Sequence, residues 1–205
     1  MKTKKLFKFL GVILPIILFL FLITIINTAK FSKFESWVYE ESIEGMSHGL
    51  TFFMKLITYI GNASSIIIFC LILFCFSKTR KTFAPLISLS VVTATLSNII
   101  LKNIFARERP NILRIINETD YSFPSGHSMI SMAMFSMVAL LSNKYVKDKT
   151  LKILVIISCA ILTFSIGISR IYLGVHYAGD VIGGWLIGFS ISILIYILCF
   201  KTKRY

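Results

Sequence analysis

With 205 residues, 56% of them hydrophobic and only 15% charged, the chain is too apolar for an ordinary soluble domain, in which about a quarter of residues are charged; its mean hydropathy is +0.82. The net charge of +13 raises the question of nucleic acid, but the basic residues are segregated: Lys2, Lys4, Lys5 and Lys8; Lys78, Arg80 and Lys81; Lys144, Lys147, Lys149 and Lys152; Lys201, Lys203 and Arg204. With six membrane crossings these clusters share one side with Asp148, the other eight Asp and Glu fall on the opposite side, and this positive-inside pattern, with both termini cytoplasmic, makes a nucleic-acid partner unnecessary.

A spanning helix needs roughly 20 mainly apolar residues. Such runs lie near 10–26, 56–76, 83–101, 128–142, 153–168 and 178–200, the fourth and fifth borrowing flanking residues of low polarity. They predict an all-α integral membrane protein, a six-transmembrane-helix bundle forming a single domain over 1–205, with no internal repeat. The first run follows lysines as a signal peptide would, yet it is long for one, and Asn27-Thr28-Ala29 is a poor cleavage site; it reads as an uncleaved first helix. In the external segment 29–50, Phe31, Phe34, Trp37 and Tyr39 recur among glutamates, a spacing suited to a helix at headgroup level that anchors by its aromatics. His48 reads as a surface residue and Lys55 as one that snorkels outward. In the second run, Gly61-Asn62-Ala63 favours close helix packing. In the third, Ser88, Ser90, Thr93, Thr95, Ser97 and Asn98 are suited to hydrogen bonds between helices. Cys70, Cys75, Cys159 and Cys199 sit inside runs with neither zinc spacing nor an obvious pairing, and read as packing residues.

The longest polar stretch, 102–126, lies outside by parity, yet it carries Lys102, Arg107, Arg109 and Arg114. Cations there oppose the inside-positive trend, so another task is expected of them. Ile112, Leu113, Ile115 and Ile116 are suited to dip this loop toward acyl chains, and Asn117-Glu118-Thr119 fits a glycosylation sequon too common to weigh. Pro124-Ser125-Gly126-His127 follows, just before the fourth run. Proline and serine start helices, glycine allows close backbone approach, and a helix amino terminus suits an anion; a plain helix cap accounts for the tetrapeptide equally well. Ser169 and Arg170 end the fifth run, and His176 and Asp180 open the sixth. His and Asp four apart share a helix face. The carboxylate fixes one ring nitrogen and leaves the other free to attack, which at phosphorus gives a phosphohistidine. The bland alternative, a structural His–Asp pair, is weakened because ionisable groups at membrane segments are functional by default. Lys102, Arg109 and Arg170 supply the charge that phosphoryl transfer needs.

These residues resemble a known family. Lys102-Asn103-Ile104-Phe105-Ala106-Arg107-Glu108-Arg109-Pro110, Pro124-Ser125-Gly126-His127, and Ser169-Arg170 with His176 and Asp180 are similar, in order and spacing, to the three signatures of the type 2 phosphatidic acid phosphatase (PAP2) superfamily. The resemblance implies a PAP2/haloperoxidase-like core and a lipid phosphatase needing neither metal nor cofactor. It implies His176 as nucleophile, Asp180 as its orienting partner and His127 as acid and then base. Lys102, Arg109, Arg170, Ser125, the Gly126 backbone and Ser169 would bind phosphate, while Arg107 and Glu108 fall at variable positions without a role. The expected substrate is a membrane lipid phosphate such as phosphatidylglycerol phosphate, undecaprenyl diphosphate or phosphatidic acid, met at the outer leaflet by a multi-pass protein of the cell membrane. A phosphotransferase that passes the phosphate to another lipid would use the same motifs. A transporter of a phosphate-bearing solute fits less well, because its site belongs near the midplane on broken, repeated helices and would not require the His–Asp pair.

Overall fold

The computed structural model describes residues 2–111 and 113–201; Ile112, Lys203 and Arg204 lie outside the described residues, as do the side chains of Lys2, Lys4, Lys5, Lys8 and Lys201. Among the described residues the chain is all-helical: α1 (Lys2–Ile25), α2 (Ala29–Glu44), α3 (His48–Ile60), α4 (Ala63–Cys75), α5 (Phe83–Phe105), α6 (Gly126–Tyr145), α7 (Lys149–Tyr172) and α8 (Ala178–Lys201). Capping side chains account for several starts: Thr28, Ser47 and Asp148 accept from the backbone N–H three residues on, satisfying donors that a first turn leaves unpaired.

Among the described residues three helices, α5, α7 and α8, are long and apolar enough to cross a membrane. Two bent pairs, α1 with α2 (99°) and α3 with α4 (50°), raise the number to five if each pair counts as one span. The apolar run near 56–76 is therefore not one straight helix: it breaks at Gly61-Asn62. A Cβ on Gly61 would stand 2.8 Å from Ile166 Cγ2 and 3.2 Å from His127 Cδ2, so the break is packed directly onto α6 and α7. Helix α2 turns off sharply from α1, leaving Trp37 exposed while Glu35 and Tyr39 are buried.

The bundle is inverted relative to a water-soluble core. Ile68, Leu71, Leu96, Ile100, Ile161 and Leu198 face outward, a band of exposed apolar surface that a soluble monomer rarely shows. Inside, α6 is surrounded by α5, α7 and α8 and buries Ser128, Ser131 and Ser142 with Met129, Ala133 and Met137. Gly184 and Gly188 bring α8 close to it. A Cβ on Gly184 would lie 3.0 Å from Ser128 Cβ and 3.1 Å from the Met129 nitrogen, the small-residue contact typical of helices in lipid. The polar residues of α5 divide. Ser90 and Thr95 donate to carbonyls of their own helix, whereas Asn98 crosses over, donating 2.9 Å to the Pro124 carbonyl.

Candidate active site

At one end of this bundle the loop 106–125 folds back over the ends of α5 and α7 and the start of α8. Ala106, left-handed at φ 44°, ends α5 with its N–H on the Lys102 carbonyl. Farther along, Tyr39 of α2 donates 2.5 Å to the Leu113 carbonyl and accepts from the Leu113 N–H at 2.8 Å. The Ile115 N–H reaches Leu173, beside Gly174, which turns at φ +73°. The loop is thus held by the Tyr39 side chain of α2 and by a backbone bond to Leu173, which lies within the third motif.

The predicted residues meet here. Lys102 and Arg109, both 7% exposed, share the Asp120 carboxylate. Arg109 also gives its Nε hydrogen to the Asp120 carbonyl at 2.7 Å and an Nη1 hydrogen to Val175 at 2.8 Å. The same Nη1 stands 3.1 Å from His176 Nε2. Guanidinium has donors only, so His176 Nε2 accepts and its hydrogen sits on Nδ1. Nδ1 makes no hydrogen bond and lies 3.4 Å from Asp180 Oδ2. Burial pushes the His176 ring well below the ordinary histidine value, with Arg109, Arg170 and Lys102 adding to the shift; it is a neutral imidazole with a lone pair facing the cations.

Arg170 is almost wholly buried and donates 2.8 Å to Thr58 Oγ1 of α3. Its Nη2 pairs with Glu118, while its Nε has no partner. The carboxyl of Asp120, raised by burial but held down more strongly by Lys102 and Arg109, ends below the usual carboxylate value. Ser125 donates its N–H to the Asp180 carbonyl at 2.9 Å, docking the second motif onto the third, and its hydroxyl accepts from Ser128 at 3.0 Å. Gly126 opens α6, whose first-turn N–H groups lack intrahelical acceptors. Ser169 turns its hydroxyl into its own helix, 2.6 Å from the Ile166 carbonyl. His127 places Nε2 2.7 Å from Asn62 Oδ1.

Five partners went unassigned in the sequence. Asn62, suited by its neighbours to helix packing, holds His127. Glu118, seen only within a sequon, holds Arg170. Asp120 bridges two cations. Arg107, left without a role, binds Asp180 and Glu35, and Glu35 comes from the segment read as an aromatic anchor. The available signal was electrostatic: cations beside lipid require anionic partners, and the segments 29–50 and 102–126 hold seven of the chain's nine carboxylates, Asp148 and Asp180 being the others. A cavity of about 610 Å³ opens over this edge, lined among others by Ile99, Lys102, Arg109, Arg114, Glu118 and Asp120.

Apolar helices facing outward, with cations, histidines and carboxylates gathered at one end, define a multi-pass membrane protein with a polar site at a bundle edge. The family model described as the PAP2 superfamily matches residues 83–204, and the chain belongs to that superfamily. It is 36% identical over 129 residues to phosphatidylglycerophosphatase B of Bacillus subtilis, covering 62% of this chain and 63% of that one. It is 36% identical over 129 residues to an undecaprenyl-diphosphatase of Sulfolobus acidocaldarius, covering 60% and 58%. These alignments span about three fifths of the curated relatives' length. The fold extends further: the crystal structure of a transmembrane PAP2-type phosphatidylglycerolphosphate phosphatase from Bacillus subtilis superposes with a TM-score of 0.88 at 28% identity, over 96% of this chain and 99% of that one.

Proposed function

We propose that this chain is an integral membrane phosphatase that hydrolyses a phosphomonoester or diphosphate of a membrane lipid at the outer leaflet. In this reading residues 1–205 form one domain that crosses the bilayer six times, through α1, the α3–α4 pair, α5, α6, α7 and α8. Both termini are cytoplasmic, and α2 lies along the outer face. The observation that carries the reading is the meeting of Lys102 and Arg109 on one anion, with Arg109 also 3.1 Å from His176 Nε2. A phosphoryl group taken up by these cations is presented to the nitrogen that holds a lone pair.

His176 Nε2 attacks phosphorus, forming the P–N bond as the P–O bond to the lipid breaks. His127 enters this step as an imidazolium, its Nε2 hydrogen on Asn62, and gives its Nδ1 proton to the departing lipid oxygen. Water then attacks the phosphohistidine with His127 taking its proton; the P–N bond breaks and phosphate leaves. Asp180 stabilises the imidazolium charge, and Lys102, Arg109 and Arg170 stabilise the phosphoryl oxygens, assisted by Ser125, the Gly126 N–H and Ser169. These cations supply the charge that a metal would otherwise bring, so turnover in excess EDTA is expected to equal turnover without it. Asp120 and Glu118 hold these cations in the structure, and a phosphate displaces their carboxylates on binding. The names of the Bacillus and Sulfolobus relatives favour phosphatidylglycerol phosphate and undecaprenyl diphosphate as substrates.

The test is phosphate release by the purified protein from phosphatidylglycerol phosphate, undecaprenyl diphosphate, phosphatidic acid and a soluble phosphate ester. Release from at least one lipid, faster than from the soluble ester, is expected. No release from any lipid would overturn the reading.

A further inference from the structure

Asp180 cannot do its work unassisted. It is 0% exposed, and a buried carboxylate without partners is too unfavourable to remain ionised. Its Oδ2 accepts from the Tyr177 N–H at 2.8 Å, while Oδ1 accepts from Arg107 Nη1 at 2.6 Å. Arg107 is shared in turn. Its Nη2 donates 2.6 Å to Glu35 Oε2 and its Nη1 3.2 Å to Glu35 Oε1, and its guanidinium lies 4.4 Å over the Tyr177 ring. Glu35, 3% exposed, also accepts from the Gly179 N–H at 3.0 Å. One arginine therefore stands between two buried carboxylates, both fastened to the first turn of α8.

We propose that Arg107 and Glu35 are positioning residues for the nucleophile: they act through Asp180, fixing its carboxylate beside His176 and leaving the group with the negative charge that the phosphorylated ring requires. This rests on the lipid phosphatase reading above. Charge decides between this role and simple neutralisation of Asp180. Arg107 alone would cancel Asp180 and draw its electron density away from His176. With Glu35 present, two negative charges face one positive charge, so a net negative charge remains. Its nearest part is Oδ2, 3.4 Å from His176 Nδ1. When Nε2 bonds to phosphorus the ring becomes positive with its hydrogen on Nδ1, facing that oxygen. Arg107 differs here from Lys102, Arg109 and Arg170, because both its terminal nitrogens are engaged by carboxylates behind the nucleophile. Helix α2 thereby supports the nucleophile from the outer face.

The competing role is a staple that merely ties α2 to α8. A mutant cycle in the full-length protein separates the two, with kcat, KM and thermal midpoint read on the best lipid of the panel. In the wild-type background Arg107→Gln is expected to lower kcat about a hundredfold and Glu35→Gln about tenfold, with KM changed less than about threefold; loss of an orienting carboxylate outright costs about ten-thousandfold in the serine-protease case. Arg107→Lys, which keeps the charge, recovers part of the loss. In an Asp180→Asn background, followed under single-turnover conditions with enzyme in excess, the same substitutions change the rate less than about twofold, because residues acting as one unit are not additive. Equal losses in both backgrounds, or a raised KM at constant kcat, would assign the pair to a staple or to substrate binding. If Arg107→Gln fails to fold, Glu35→Gln, nearly isosteric, carries the cycle alone. Where Asp180→Asn turnover is too slow to follow, an unchanged kcat in Glu35→Gln overturns the proposal, and a lowered kcat at constant KM and thermal midpoint upholds it. A wild type inactive on every lipid defeats the phosphatase reading itself, whereas an active wild type with an additive cycle defeats only the positioning role.

Discussion

Behind His176, Glu35 and Asp180 share Arg107, and their side chains are 3% and 0% exposed. At the mouth of the site, Glu118 and Asp120 hold Arg170, Lys102 and Arg109, and their side chains are 29% and 56% exposed. The ion-pair chemistry is the same in the two places, but the surroundings are not. A buried carboxylate that loses its arginine leaves an uncompensated charge away from water, a loss of several kcal/mol. A more exposed carboxylate that lets go of a cation is rehydrated, whereas Lys102, Arg109 and Arg170 stay buried and call for another anion in its place. The inner pair is thus fixed architecture, whereas the outer pair gives way to a competing anion. In the proposed function a phosphoryl group takes the place of these carboxylates, on cations that are already clustered.

The largest effect belongs at the boundary between the two regions. His176→Ala removes the proposed nucleophile and leaves both carboxylate pairs in place, so phosphate release is expected to fall about ten-thousandfold or more while the protein still inserts and purifies as wild type does. Turnover within about tenfold of wild type would show that the inner network supports something other than a nucleophile. Next in size is Asn62→Leu. The Asn62 oxygen only accepts, so it holds His127 with its hydrogen on Nε2. Without that bond the ring is free to turn away from the leaving oxygen. A drop in kcat of about tenfold is expected, a fraction of the 10²–10⁴ that general acid catalysis contributes, and a smaller drop for substrates with good leaving groups. An equal loss for good and poor leaving groups would remove His127 from proton transfer.

The outer pair is expected to respond in the opposite direction. Asp120→Asn deletes the charge that occupies Lys102 and Arg109 but keeps the shape of the side chain. Inhibition by inorganic phosphate should strengthen about five- to tenfold, since roughly 1.4 kcal/mol of competition corresponds to tenfold in affinity. Raising salt should narrow the difference, because exposed charges are screened. Weaker phosphate binding in this variant would mean that Asp120 organises the cations instead of competing for them.

What the sequence made legible follows the same division. Lys102, Arg109, His127, Arg170, His176 and Asp180 are legible as candidates because each lies at a fixed spacing on or beside an apolar run, and helical periodicity carries that spacing into three dimensions. Glu35, Asn62, Glu118 and Asp120 were missed because their positions depend on how the irregular loop and the turned-away α2 fold back, which no local period encodes. Asn62 also marks the break that divides the apolar run near 56–76 into α3 and α4; hydrophobicity identified that run but not its bend. Arg107 sat inside a recognised motif and still went unread, since its partners lie 72 and 73 residues away.

The smallest effect is a pH dependence, and it tests what holds Asp120. Its carboxyl is depressed below the ordinary value of 3.8 because Lys102 and Arg109 together outweigh burial. A depressed carboxylate contributes its stabilisation fully above the unfolded-state value and loses it only as the pH falls through the lower folded-state value. Between pH 5.5 and 8 the Asp120 latch therefore stays closed and charged. The ratio of phosphate inhibition constants, wild type over Asp120→Asn, should be flat across that window, because the ionisation of phosphate itself cancels in the ratio. His176 does not tilt the ratio either, since burial and the surrounding Arg109, Arg170 and Lys102 keep it neutral in both proteins. A ratio that shrinks toward one on acidification to pH 5.5 would mean that Asp120 gains a proton well above its ordinary range. Its grip on the two cations would then be too weak to compete with phosphate, and the distinction between a fixed inner pair and a releasable outer one would no longer rest on electrostatics.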